Sequence, residues 1–125
     1  MNFSQTPEFA KELKKLSKKW RSLPADLAVL QKVITTLYMG ANGVPASHIR
    51  ETFFATKKGA ILRTVSENSE VVKIRLDCSD LNKDMLRVTF IQSEEAVLLV
   101  ELYAKNQKAR EDTERIQKHL KSKLL

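Results

Sequence analysis

A single cysteine, Cys78, stands in a chain of 125 residues. It cannot close an internal disulfide, so a stapled secreted scaffold is excluded and a cytoplasmic protein is expected. Only two histidines, His48 and His119, are present; with one cysteine they give no zinc-site spacing, and neither a metal nor a small-molecule cofactor is expected. Glycine and proline number three each, too few for a low-complexity tract, and no linker divides the chain. No apolar run approaches the ~18 residues that suggest a membrane span. The start MNFSQTPEF lacks the cationic and apolar regions of a signal peptide. No membrane partner is expected. Acids are also short, at 15 Asp and Glu against 22 Lys and Arg, for a formal charge of +7 and a pI near 9.6. Such a surplus suits nucleic acid, an anionic membrane surface or an acidic protein.

What remains is ordinary globular composition, 42% apolar and 30% charged, at a length that buries roughly two-thirds of its unfolded surface in one domain. That domain is expected to span residues 1–125. Thr6-Pro7-Glu8 reads as a helix start: a capping hydroxyl, proline at the first helical position, and an acid at the positive end of the dipole. Phe9, Leu13, Leu16 and Trp20 then recur on one stripe. Lys11, Lys14, Lys15, Lys18, Lys19 and Arg21 crowd the remaining surface, either as a solvated face or as a seat for RNA. A second helix is predicted over 24–39, with Leu27, Leu30, Ile34 and Leu37 as its stripe and Gly40 as its stop. Asn42-Gly43 marks a turn. Residues 44–58 read equally as a short helix from Pro45-Ala46-Ser47 or as a loop that tucks Phe53 and Phe54 inward.

Four strands follow in the pattern, at about 59–65, 71–77, 85–92 and 96–105. Glu67-Asn68-Ser69-Glu70, the polar joint 77–84 and Ser93-Glu94-Glu95 link them. A last helix is predicted from Asn106, a suitable cap, with Thr113, Ile116, Leu120 and Leu124 as its thin stripe. Strand side chains alternate between faces. Lys73 and Arg75 therefore share one face, with Val72, Ile74 and Leu76 on the other. Arg87 breaks the next run in the same way between Leu86, Val88 and Phe90. Glu101, Tyr103 and Lys105 continue the period. The pattern predicts a sheet with one greasy face and one studded with cations, a good seat for a phosphate chain. Helices grouped before a run of strands predict an α+β fold.

In this order the segments FAKELKKLSKKWRSLPADLAVLQKVI, VVKIRL, LRVTF and LLVELYAKNQK resemble the RelE/ParE superfamily of small bacterial toxins. The resemblance implies two N-terminal helices packed on an antiparallel sheet of about four strands, followed by a C-terminal helix. It implies the toxin of a type II toxin–antitoxin pair, a metal-independent endoribonuclease that cuts mRNA on the ribosome and is blocked by a cognate antitoxin. By position, Lys73 and Arg75 match the family's paired basic residues. Arg87 matches the arginine at the scissile phosphate. Lys105 matches the basic residue closing the last core strand, and Tyr103 belongs to the Tyr-Ala-Lys signature. Lys11, Lys14, Lys15, Lys18 and Lys108 are the expected contacts to RNA or ribosome. The ParE branch implies DNA gyrase as an alternative target, and a non-catalytic RNA- or ribosome-binding domain is a third possibility. Glu101 fits either a base or an ion-pair partner of Arg75 or Arg87. Tyr103 fits either a stacking platform or an interface aromatic. Trp20 is expected in the core, His48 and His119 on the surface, and Cys78 as a passive strand-end residue with only Lys83 near enough to activate it.

Overall fold

The computed structural model describes residues 1–80 and 85–124, residues 122–124 as backbone only. Its elements run β1 (Asn2–Gln5), α1 (Pro7–Lys19), α2 (Leu23–Met39), α3 (Ala46–Ala55), β2 (Gly59–Ser66), β3 (Ser69–Leu76), β4 (Leu86–Ser93), β5 (Ala96–Ala104) and α4 (Thr113–Leu124). The fold is α+β: helices, then a sheet, then a C-terminal helix. β2 to β5 form an antiparallel meander in the order β5-β4-β3-β2, and β1 adds to β5 in parallel at the far edge. The sheet is therefore five-stranded and mixed rather than four-stranded and antiparallel. β1 is four mostly exposed residues with no apolar period of its own. It exists because the chain start returns to β5, with backbone bonds from Asn2 to Glu95 at 2.8 Å and from Thr6 to Leu99 at 3.0 Å.

The local signals act as physical chemistry directs. The Thr6 hydroxyl accepts from the Phe9 amide at 3.0 Å and caps α1. Gly40 ends α2 at φ +76. Asn42 and Gly43 both take positive φ in the turn between Ala41 and Val44. The apolar stripes of α1 and α2, including Phe9, Trp20, Leu23, Ile34 and Leu37, pack on the sheet face carrying Val72, Ile74, Val88, Phe90 and Leu102. Segment 46–55 is a helix rather than a loop. Arg50 on α3 holds the Glu70 carboxylate of β3 through bonds of 2.9 and 2.8 Å, and the Tyr38 hydroxyl of α2 donates to the same group at 2.7 Å.

Two further expectations change. α4 begins at Thr113 and not near Asn106. Its cap is Asp112, whose carboxylate accepts from the Arg115 amide at 3.0 Å, while Glu101 accepts from the Asp112 amide at 2.8 Å. A buried acid from β5 thus sets the start of α4, which no local pattern encodes. Nor is the second sheet face wholly cationic. The register skips Val100, with Phe90 opposite Leu99 and Thr89 opposite Glu101. This bulge puts Val100 beside Val71 and Ile91, where Ile116 and Leu120 of α4 cover them as a second small core. One part of the face is apolar beneath α4, and another carries the charges. Of the predicted joint 77–84, residues 81–84 lie outside the described residues, Lys83 among them, as does the Leu124 side chain.

Candidate anion-binding pocket

Register converts sequence spacing into a site. Arg75 on β3 lies opposite Arg87 on β4, which lies opposite Tyr103 on β5. One pair further along, Lys73 lies opposite Thr89, and Thr89 opposite Glu101. Directly opposed residues share a face, so the two basic strands and the tyrosine strand present one polar surface at the end of the sheet.

The turn from α3 into β2 supplies a side wall. Lys57 adopts φ +62, an uncommon left-handed backbone for a side chain of its size. The Lys58 carbonyl accepts from the Arg75 amide at 2.9 Å, which ties this turn to β3. Gly59 is there because of close approach. A Cβ at that position would sit 2.9 Å from Phe53 Cε1 and 3.2 Å from the Lys73 carbonyl. The segment after β5 closes the opposite side, anchored by the Lys105 amide bonding the Met85 carbonyl at 2.7 Å.

The result is a pocket of about 280 Å³ lined by seven cationic residues, Lys57, Lys58, Lys73, Arg75, Arg87, Lys105 and Arg110, together with Tyr103. All five residues expected to act on RNA line it: Lys73, Arg75, Arg87, Tyr103 and Lys105. Arg87 and Tyr103 are buried, at 8% and 6% exposure, while Arg75 and Lys105 are exposed. Arg87 Nη1 donates to the Leu86 carbonyl at 3.1 Å. Lys73 Nζ holds Glu111 at 3.0 Å. Burial works to raise the Glu111 carboxyl, but a backbone bond and Lys73 outweigh it and hold it below its ordinary range. Burial, with Glu111 and Glu101 adding like-signed charge, pushes the Tyr103 phenol up to about 12, although Arg87 opposes this. Tyr103 is therefore a hydrogen-bond donor at neutral pH.

Glu101 is fully buried, bonded to Lys108 and to the Asp112 amide. It is a structural anchor for α4 and does not line the pocket. Lys108 pairs with Glu101 and lies over the Tyr103 ring at 5.7 Å; it does not line the pocket. Lys11, Lys14, Lys15 and Lys18 are exposed on α1, and none lines the pocket. Trp20 is buried, Cys78 is a buried free thiol, His48 is exposed, and His119 lies 3.4 Å from Glu8. Lys57, Lys58 and Arg110 were not singled out from the sequence. A basic doublet before the glycine that opens a strand was the available signal for the first two; Arg110 has none.

Among the described residues, no three His, Cys, Asp or Glu side chains gather as metal ligands, and no helix is long and apolar enough to cross a membrane. The chain matches no family model, no curated protein and no solved structure.

Proposed function

We propose that this protein is an RNA-cleaving toxin of the RelE/HigB kind, held in check by an acidic antitoxin and acting on mRNA at the ribosome through the basic pocket. The observation that carries the proposal is the meeting of Lys73, Arg75, Arg87, Tyr103 and Lys105 in one concavity. Metal-independent RNA cleavage uses the 2′-hydroxyl as nucleophile on the adjacent phosphorus. The P–O5′ bond breaks, a 2′,3′-cyclic phosphate forms, and the proton lost from the 2′-oxygen is balanced by one gained at the 5′-oxygen. The enzyme must hold the phosphate in line and neutralise charge as it builds on the equatorial oxygens. Guanidiniums on neighbouring strands, those of Arg75 and Arg87, suit both tasks, because each is a planar fork of donors that matches phosphate oxygens and the sheet fixes the backbone that carries it. Tyr103 contributes a neutral donor from the floor of the pocket.

Expression of the chain alone, followed by mapping of breaks in translated mRNA, tests the proposal. Arg87→Ala should remove the cuts while the protein stays folded by circular dichroism. Intact messages and normal growth with the parent chain would sink it.

A second reading is favoured by one observation. Among the described residues that line the pocket there is no histidine and no carboxylate, the groups that most often move protons near neutrality. That fits a non-catalytic RNA- or ribosome-binding domain, for which binding is salt-sensitive and no cleavage products appear.

A further inference from the structure

The basic pocket does not end at its cationic wall. Lys58 and Arg75 also line a second cavity, of about 250 Å³, that wraps round the end of β3 towards α2 and α3. The composition changes there. Val29, Leu30 and Val33 of α2, Phe53 of α3 and Leu76 of β3 make its walls, with Asp26 and Asp77 at the rim. Val29 is 60% exposed, the most exposed large apolar side chain among the described residues. Asp26 is committed to the fold, since its carboxylate accepts from the Ser79 amide and hydroxyl at 2.8 and 2.7 Å and from Ser22 at 2.8 Å.

We propose that this groove is the nucleobase subsite of the phosphate pocket, so that the site grips a single-stranded nucleotide by its phosphate and its adjoining base together. The inference rests on the reading of the basic pocket as a phosphate site. Three features select a base as occupant. The groove shares two cationic residues with the pocket, so its occupant is the group next to the phosphate. Apolar side chains and one aromatic ring suit a flat π-face, as single-strand sites do. The two carboxylates repel a second phosphate, and Asp77, whose oxygens are not committed to the fold as those of Asp26 are, can accept from the polar edge of a base, which an alkyl chain would leave unsatisfied. The Phe53 ring is placed by the missing Cβ of Gly59, which also lines the pocket.

The test is titration of the full chain, followed by calorimetry and amide chemical shifts, with four probes. These are inorganic phosphate, ribose 5-phosphate, nucleoside monophosphates phosphorylated at the 3′ or 5′ position, and a monoalkyl phosphate. Phosphate and ribose 5-phosphate are expected to bind alike. A nucleotide is expected to bind about tenfold tighter, a gain in keeping with one base on one aromatic contact, and to shift the amides of Val29, Val33 and Phe53. Val29→Asp, at an exposed position that folding does not need, should erase the nucleotide's advantage and leave phosphate binding as it was; Val33→Asp should do the same from deeper in the groove. Equal affinity for ribose 5-phosphate and nucleotides overturns the subsite while the phosphate pocket stands. Tighter binding of the alkyl phosphate than of any nucleotide overturns it in favour of a lipid. Failure of all four probes overturns pocket and subsite together.

Discussion

Lys57 shows how one residue can serve the pocket at the fold's expense. Its left-handed backbone, at φ +62, costs a non-glycine residue about 1 kcal/mol. Lys57→Gly is expected to raise thermal stability by about that amount and to weaken phosphate binding, a trade that paired melting and binding curves would reveal. Glu111 is the counterpart on the opposite wall. Its carboxyl is held below its ordinary value of 4.5 despite burial, by a backbone bond and Lys73. A depressed carboxyl stabilises the folded state above its unfolded pKa and loses that contribution as pH falls through the folded value. Stability should therefore be level near neutrality and decline below about pH 4.5, with Glu8 and Asp26, also depressed, adding to the fall. Glu111→Gln should flatten part of the decline. It should also tighten phosphate binding at neutral pH, because Lys73 loses a competing carboxylate.

At the scale of elements, the pocket depends on α3 being pinned to the sheet. The pin is the Arg50–Glu70–Tyr38 cluster, where burial works to lower the Arg50 guanidinium and Glu70 and Tyr38 outweigh it and raise it. Arg50→Ala leaves a Glu70 side chain that is only 12% exposed without its charge partner and with the Tyr38 hydroxyl as its remaining donor in the cluster, and should cost about 2 kcal/mol in denaturant unfolding. The local signature is faster hydrogen exchange across 46–55 and looser phosphate binding at the Lys57–Lys58 wall, some distance from the substitution. Gly59→Ala strikes the same joint from the other side. The added methyl meets a ring carbon and a carbonyl, and overpacking of this kind costs about 1–3 kcal/mol. At the C-terminal end, Arg115 reaches from α4 to Glu12 of α1 at 2.8 Å and to the Val100 carbonyl at the bulge. α4 is held by a polar clamp as much as by Ile116 and Leu120.

For the whole molecule, charge is the governing quantity. A net +7 attracts polyanions at long range, but only cations that meet a phosphate release counterions on binding. For single-stranded RNA each such contact adds roughly 0.7 to the slope of log affinity against log salt. If four pocket cations grip phosphate, the slope is about −3, and Arg75→Met should lower its magnitude by roughly 0.7. Changing Lys11, Lys14, Lys15 and Lys18 together to glutamine should leave phosphate binding in the pocket intact, because none lines it. The same variant should weaken association with ribosomes if α1 is the docking face.

Much of this molecule was legible because it depends on near neighbours. The Thr6 cap, the α1 and α2 stripes, the Asn42-Gly43 turn and the period of two that aligns Lys73 with Arg75 all involve residues within a few positions of each other. Their geometry follows from backbone sterics and hydrogen bonding alone. Tertiary structure decided whatever needed a distant partner. β1 needed β5. The Val100 bulge needed the β4 register and α4 above it. The start of α4 needed Glu101, and the pocket needed Lys57, Lys58 and Arg110 carried in from two separate loops. Long-range pairing chooses among many locally equivalent placements, and that choice is an energy of the assembled fold rather than of any segment within it.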